Sequence, residues 1–254
     1  MTAAVTPFLS LSSVTKSYGA VEALKGIDLD VHEGEVLALV GDNGAGKSSL
    51  VKILAGAHPP SAGEIRLRGE AVRFASPGDA LAKGIATIYQ DLAVAPRLSI
   101  TENIFLGSEL TRGPFGLPVP RLLDKAGMAR EAKALLSRLS VNVAHPDTPV
   151  ERLSGGQRQA VALSRALRWD ARMIIMDEPT AALGVQETRM VLDLIRRLHD
   201  EGRTVVLISH NMADVCAVST RVAVLKGGRK VIDRTTDGID ADRLGHMVMT
   251  GRDH

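Results

Sequence analysis

Several features that would point to a function are scarce or missing in this sequence. The 254 residues contain one cysteine, Cys216, which excludes an intramolecular disulfide and is typical of a reducing compartment. The net charge of +2 gives no reason to expect a nucleic-acid partner. No apolar run approaches the roughly 18 residues of a spanning helix, and the N-terminus lacks the basic start and apolar stretch of a secretory signal. If the protein works at a membrane, we expect another chain to hold it there.

The composition is that of a folded protein. Apolar residues make up 45% of the chain and charged residues 24%, which allows a sizeable core and argues against disorder. The length fits one large domain or two small lobes.

The stretch Gly41–Ser48 matches the phosphate-binding pattern G-x-x-x-x-G-K-[S/T] at every fixed position. The apolar run 36–40 before it predicts a buried strand, and the apolar spacing after it predicts a helix from residue 49 to 55. The pattern therefore lies in the strand–loop–helix context that phosphate binding requires. A glycine-rich turn with an incidental lysine is the plainer alternative.

The residue types in this loop suit a nucleotide phosphate. Glycines let the backbone curl closely around an anion, and the N–H groups at the start of the helix offer it partial positive charge. Lys47 can reach the β- and γ-phosphate oxygens, and the hydroxyl of Ser48 can ligate Mg²⁺.

Two carboxylates, Asp177 and Glu178, follow the apolar run 173–176. This run and a second one at 205–208 predict central parallel strands, and ligands of open α/β sheets bind at the carboxyl ends of such strands. Asp177 can hold Mg²⁺, directly or through water. Glu178 can polarise an attacking water toward the γ-phosphate. Without the phosphate loop, a polar strand end would be the simpler interpretation.

The stretch Leu153–Gln157 reads Leu-Ser-Gly-Gly-Gln. Ser154 and Gln157 are spaced as an ordinary capping box. However, a capping box gains nothing from two consecutive glycines in the first turn, where each costs about 1 kcal/mol relative to alanine. Gly155 and Gly156 are more readily explained if an anion approaches bare backbone at a helix N-terminus.

The remaining pattern predicts an α/β fold with a mostly parallel sheet. Alternating apolar and polar residues at about 8–36 and 63–75 predict an antiparallel β patch, with a turn at 16–19. Strand signals fade from about 91 to 170, which predicts a helical insertion, and the stretch 107–120 is rich in glycine and proline and predicts a loop.

These motifs resemble those of the nucleotide-binding subunits of ATP-binding cassette (ABC) transporters, in the right order and over nearly the whole chain. Gly41–Ser48 and Met173–Glu178 match the two nucleotide motifs, and Leu153–Gln157 matches the family signature. Gln90 matches the glutamine that senses the γ-phosphate and links to the membrane partner, and His210 matches the switch histidine.

The resemblance implies a P-loop NTPase core, with residues 1–254 forming one cassette that contains the antiparallel patch and the inserted helical subdomain. It implies catalytic roles for Lys47, Glu178 and His210, and Mg²⁺ held by Ser48, Gln90 and Asp177. It implies that Tyr18 stacks on adenine. The residues expected to bind ATP are Tyr18, Gly41, Asp42, Asn43, Gly44, Ala45, Gly46, Lys47, Ser48, Ser49 and Gln90, and the signature residues expected to serve a second copy are Leu153, Ser154, Gly155, Gly156 and Gln157.

One departure from the family pattern matters. The loop after Pro179 usually carries an aspartate, as in S-A-L-D, and this chain has Gly184 at that position. Gly184 cannot make the contacts that this carboxylate makes across the dimer in the family. The sequence Glu178–Leu183, read as E-P-T-A-A-L, is similar to that of monosaccharide importers of the family.

The resemblance predicts an ATP-hydrolysing subunit of an ABC importer for a monosaccharide. Because each motif occurs once, we expect a head-to-tail homodimer, permease subunits that dock beside Gln90, and indirectly a periplasmic sugar-binding protein. The expected location is the cytoplasmic face of the bacterial inner membrane. The alternatives are another cargo, such as branched-chain amino acids, or a non-transport ABC ATPase that acts on ribosomes or DNA.

Overall fold

The computed structural model describes residues 6–112, 122–141 and 145–253. The described strands are β1 (Leu9–Tyr18), β2 (Val21–Val31), β3 (Val36–Gly41), β4 (Ala62–Leu67), β5 (Glu70–Val72), β6 (Ile85–Ile88), β7 (Thr111–Arg112), β8 (Leu122–Leu123), β9 (Met173–Asp177), β10 (Thr204–Ile208), β11 (Arg221–Lys226) and β12 (Arg229–Thr235). The described α-helices are α1 (Lys47–Leu54), α2 (Pro77–Ala82), α3 (Ile100–Phe105), α4 (Lys125–Arg138), α5 (Gly155–Arg168), α6 (Val185–Asp200), α7 (Met212–Val218) and α8 (Ala241–Thr250), with a 3₁₀ turn at Val150–Arg152.

A six-stranded sheet in the order β12-β11-β3-β10-β9-β6 forms the centre of the fold. Only β12 runs antiparallel to its neighbour within this sheet. The predicted strands β3, β9 and β10 are confirmed, and their apolar residues are buried on both faces. In the strand register Ile208 pairs with both Asp177 and Leu39, so β9, β3 and β10 end at the same edge of the sheet. The phosphate loop and the two carboxylates therefore begin side by side.

A separate four-stranded antiparallel sheet has the order β2-β1-β4-β5 and contains residues from 9 to 31 and from 62 to 72. One apolar face of this sheet packs with α1 and one face of the central sheet in a shared core. The turn predicted at 16–19 is wrong: β1 continues through Tyr18, which pairs with Val21, and the turn is confined to Gly19 and Ala20. The long β1–β2 pairing overrides the local turn signal.

Three helices, α3, α4 and α5, lie between β6 and β9 in the chain and share a core with α6 and the other face of the central sheet. In α4, Ala132 and Leu136 face this core and are buried in it. The loop predicted at 107–120 falls mostly outside the described residues. Among the described residues, β7, which falls within this predicted loop, pairs with β8, which follows it. The division into subdomains stays a prediction.

Candidate functional site

The phosphate loop joins β3 to α1 and depends on its glycines for reasons within the chain. Gly41 has φ +152°, and a Cβ there would lie 2.2 Å from the carbonyl oxygen of Leu225. Gly46, which caps α1, has φ +106°, and a Cβ there would lie 2.7 Å from the carbonyl oxygen of Ala23. A side chain at either position would clash with neighbouring backbone and strain its own. The glycines thus shape the loop before any phosphate is considered.

Lys47 opens α1 and turns back across the loop. Its Nζ donates to the carbonyl oxygens of Gly41 at 2.5 Å and Asp42 at 3.0 Å. Burial lowers the pKa of Lys47, and the nearby carboxylates of Glu178, Asp42 and Asp177 partly offset that effect. An anion in the loop would meet this ammonium directly.

Asp177 and Glu178 leave β9 at the same edge. Burial, and then the charge of Glu178, raise the pKa of Asp177, while Lys47 and Lys52 act in the opposite direction. Glu178 has φ +51°, a left-handed conformation that is strained for a glutamate, and its N–H donates to the carbonyl of Ile208 at 2.9 Å. Such strain is concentrated at functional sites, where the surrounding structure holds it.

A polar cleft of about 470 Å³ joins these parts. Of the residues predicted from the sequence, it is lined by Asn43, Gly44, Ala45, Gly46, Lys47, Ser48, Ser49, Gln90, Asp177 and Glu178. Gly41 and Asp42 lie directly behind it as acceptors for Lys47. His210 adjoins it, because its Nδ1 lies 2.7 Å from Oε2 of Glu178. The structure therefore brings most of the residues that the sequence predicted for ATP binding together at one cleft.

Sequence reasoning missed part of the cleft wall. Val21, Glu22 and Ala23 at the start of β2, and Ile208 at the end of β10, also line the cleft. Val21 is 66% exposed, unusually high for a β-branched apolar residue in a strand. An apolar residue beside a turn is too common a pattern to have identified it from the sequence.

Tyr18 is not among the residues that line the cleft. Its ring is 43% exposed and meets His58 edge to face with centroids 6.1 Å apart. The ammonium of Lys16 lies 5.2 Å from the same ring centroid. Its strand partner Val21 does line the cleft, so Tyr18 lies next to the wall, and its contact with adenine stays a prediction.

The signature stretch lies apart from the cleft, at the start of α5. Ser154 and Gln157 form the predicted capping box, with Ser154 Oγ 3.4 Å from the Gln157 nitrogen and Gln157 Oε1 3.0 Å from the Ser154 nitrogen. Leu153 is buried in the helical core, whereas Ser154 is exposed. None of the five signature residues lines the cleft.

The donors in the cleft suit a magnesium ion. Ser48, Gln90 and Asp177 bring a hydroxyl, an amide oxygen and a carboxylate to the lining of the cleft, and Mg²⁺ prefers oxygen ligands. Mg²⁺ also keeps several waters and is commonly held by one or two carboxylates together with substrate phosphates. The half-buried carboxylate of Asp177 beside the phosphate loop fits that pattern.

An apolar groove of about 290 Å³ lies next to the cleft, between β6, α2 and α5. Tyr89 and Leu92 line the groove, while Gln90 between them lines the cleft. Leu106 and Trp169 are 46% and 43% exposed along it. One short segment after β6 thus contacts both depressions.

The fold and the cleft define a P-loop nucleotide-binding cassette. A family model described as ABC transporter matches residues 24–181. The chain is 47% identical over 226 residues to the fructose import ATP-binding protein FrcA of Rhizobium meliloti, covering 89% of this chain and 87% of that protein. It is 45% identical over 240 residues to the xylose/arabinose import ATP-binding protein XylG of Sulfolobus acidocaldarius, covering 94% and 93%.

Other comparisons agree. The chain is 44% identical to the ribose import ATP-binding protein RbsA 2 of Escherichia coli O157:H7 over 97% of its own length but 47% of that protein. An ATP-binding cassette of an ABC transporter superposes with a TM-score of 0.81 at 23% identity, covering 96% and 98% of the two chains. A dimeric cassette in a post-hydrolysis state with ADP and Pi superposes with a TM-score of 0.74 at 25% identity, covering 91% and 100%.

The chain belongs to the ABC transporter family and is an ATP-binding, ATP-hydrolysing cassette. The predicted family and the predicted α/β P-loop fold are confirmed. Within residues 6–112, 122–141 and 145–253, no helix combines the length and apolar character needed to cross a bilayer.

Proposed function

We propose that this cassette hydrolyses ATP to drive import of a monosaccharide through a separate membrane permease. The proposal rests on the relatives named for fructose, xylose/arabinose and ribose import, each more than 40% identical, and on the E-P-T-A-A-L sequence after Asp177. The chain works as a peripheral subunit on the cytoplasmic face of the membrane, and a periplasmic binding protein supplies the sugar to the permease.

Two copies of the chain together form two ATP sites. The phosphate loop of one copy, with Lys47, and the signature turn of the other, with Ser154, enclose one ATP. Two observations support this arrangement: the signature lies outside the cleft of its own chain, and a similar cassette has been solved as a dimer. ATP then joins the two copies and hydrolysis releases them.

The residues of the cleft have separate roles in hydrolysis. Lys47 exchanges its bonds to the carbonyls of Gly41 and Asp42 for oxygens of the β- and γ-phosphates. Glu178 holds the attacking water and accepts its proton, while His210 restrains the carboxylate and contacts the γ-phosphate. Ser48, Gln90 and Asp177 hold Mg²⁺, which neutralises charge on the phosphates.

The permease docks in the apolar groove beside Gln90. Leu106 and Trp169 offer exposed apolar surface there, and Arg165 offers a half-buried cation whose pKa burial lowers. Among the described residues Arg165 has no carboxylate partner, and one of its nitrogens donates to the carbonyl of Ala93 at 3.2 Å. A permease helix with apolar side chains and one carboxylate would complement this groove.

The deciding experiment is ATP turnover by the cassette reconstituted with its permease. A sugar-loaded binding protein should raise the rate, and the unloaded protein should raise it less. If only a loaded amino-acid-binding protein stimulated the rate, the proposed cargo would be wrong but the importer function would stand. Full activity without a membrane subunit, and no copurifying permease, would overturn import itself.

A further inference from the structure

Glu187 joins the beginnings of two different helices. Its Oε1 accepts a hydrogen bond from the backbone N–H of Gly155, the first residue of α5, at 2.8 Å. Its Oε2 accepts from the N–H of Gly184, the residue that caps α6, at 3.2 Å. These two donors hold the pKa of Glu187 below its usual value, so the carboxylate is charged at neutral pH. One side chain thus bridges the signature turn and the start of α6.

Both signature glycines lie close to side chains of the segment that contains Glu187. A Cβ on Gly155 would lie 2.3 Å from Cδ2 of Leu183, and one on Gly156 would lie 2.9 Å from Sδ of Met190. The first turn of α5 is therefore packed directly on the segment 183–190. This provides a reason for both glycines that does not involve an anion.

A second tie connects α5 to the segment that follows the proposed catalytic glutamate. Nε2 of Gln159 donates to the carbonyl oxygen of Pro179 at 2.8 Å, and Gln159 is buried. The segment from Pro179 to Gly184 is thus bonded to α5 directly at Pro179, and at Gly184 through the carboxylate of Glu187. Both Gly155 and Gln159 of α5 are therefore hydrogen-bonded to residues between Pro179 and Glu187, which follow Glu178 in the chain.

We propose that Glu187 is a positioning residue that fixes the signature turn of its own chain for hydrolysis of the ATP bound by the other copy. This inference rests on the proposed two-chain ATP site. It also gives the segment near Gly184, which lacks the family's usual aspartate, a carboxylate that acts within the chain. If Glu187 only caps a helix, its replacement would destabilise whichever chain carries it. The effect on hydrolysis would then be the same whether or not that chain supplies the intact signature.

Mixed dimers separate these possibilities. A chain with Lys47→Ala keeps its signature, and a chain with Ser154→Arg keeps its phosphate loop, so their heterodimer has one intact site. The signature of that site comes from the Lys47→Ala chain. Glu187→Ala is placed in one chain or the other, and single-turnover ATP hydrolysis is measured, with ATP-dependent association as a second readout.

The expected result depends on the position of the mutation. Glu187→Ala in the chain that supplies the intact signature should slow hydrolysis or weaken association at least about threefold, within the range of measured coupling effects. The same change in the other chain should leave the parent heterodimer nearly unchanged. If Glu187→Ala unfolds the chain, Glu187→Gln takes its place in the test. Glu187→Gln keeps the shape of the side chain and one good acceptor, so its loss should be smaller but should show the same dependence on the chain that carries it.

Glu102 provides a matched control. It is also the third residue of its helix, α3, and its Oε2 accepts from the N–H of Ser99 at 2.8 Å, but it caps that helix alone. Glu102→Ala in the signature-supplying chain should lower the melting temperature without a comparable kinetic loss. The role of Glu187 would be overturned if Glu187→Ala slowed hydrolysis equally in either chain, or in neither. It would also be overturned if Glu102→Ala slowed hydrolysis as much as Glu187→Ala. A parent mixture with neither hydrolysis nor ATP-dependent association would instead overturn the two-chain site.

Discussion

Nδ1 of His210 lies 2.7 Å from Oε2 of Glu178, across the carboxyl ends of the neighbouring strands β10 and β9. The backbone N–H of His210 also points to the same oxygen at 3.4 Å. Both contacts use Oε2, which leaves Oε1 as the oxygen that could orient a water. The imidazole is 75% exposed and the carboxylate 17% exposed, so the histidine restrains the glutamate from the solvent side.

The first prediction follows from this pair. Glu178→Gln should bind MgATP normally but hydrolyse it at least about a hundredfold more slowly, which is the lower range for loss of a general base. The variant should accumulate as an ATP-bound dimer on size-exclusion chromatography. Near-normal turnover would remove Glu178 from this role.

A second prediction concerns the packing of the signature turn. In urea unfolding, Gly155→Ala should be less favourable than a Gly→Ala change at an open helical position by about 1 kcal/mol, because the new methyl group would lie 2.3 Å from Cδ2 of Leu183 and that side chain must move. Gly245→Ala in α8 is the control: it meets nothing within 4 Å and should stabilise the helix by about 0.5–1 kcal/mol. Combining Gly155→Ala with Leu183→Ala should cost less than the sum of the two changes. Strict additivity would contradict the predicted clash.

A third prediction tests the two-chain site directly. Lys47→Ala should lose ATP binding, because the ammonium that meets the phosphates is gone. If the signature serves the other copy, as proposed, Ser154→Arg should keep ATP binding in the isolated chain but lose hydrolysis. A mixture of the two variants should regain some ATPase activity, unless hydrolysis requires that both sites be active. Loss of ATP binding by the isolated Ser154→Arg chain would mean that the signature acts within its own chain.

The fourth prediction uses the raised pKa of Asp177, which burial and Glu178 cause. Between the unfolded-state pKa, about 3.9, and the raised folded-state pKa, the folded chain holds more protons than the unfolded chain, so the contribution of Asp177 to stability grows as pH falls. If Asp177 holds Mg²⁺ as proposed, the ion needs the charged carboxylate, and Mg²⁺-dependent ATP binding should weaken over the same pH range.

Thermal melts and ATP titrations at several pH values would measure both effects. In Asp177→Asn, the melting temperature should depend less on pH, because the contribution of the Asp177 carboxyl is gone. It should also weaken Mg²⁺-dependent binding at every pH. A pH slope of stability that is unchanged in Asp177→Asn would show that another group is responsible.

The parts of the site that the sequence predicts well are local ones. The phosphate loop, the carboxylates after β9 and the capping box at Ser154 each depend on residues adjacent in the chain, so spacing alone identifies them. The sequence could not predict what the signature glycines touch, because Leu183 and Met190 lie about thirty residues further along the chain. It missed the wall formed by Val21 for the same reason, since the β1–β2 hairpin reaches the cleft only through long-range packing.

The final prediction concerns coupling to the permease. Tyr89 and Leu92 line the apolar groove while Gln90 lines the ATP cleft, so a permease seated in the groove can move Gln90 through two neighbouring residues. Gln90→Ala should therefore reduce stimulation by a sugar-loaded binding protein more than it weakens ATP binding. The measurement is the ATPase rate of the reconstituted complex with and without loaded binding protein, beside the ATP affinity of the cassette alone.

Trp169→Ala is the matched comparison, because Trp169 lines the groove and not the cleft. It should weaken permease copurification and stimulation together and leave ATP affinity unchanged, whereas Gln90→Ala should leave copurification intact. If Gln90→Ala lowers ATP affinity and stimulation by the same factor, Gln90 serves only the nucleotide. Coupling to the membrane subunit would then have to run through the groove residues without it.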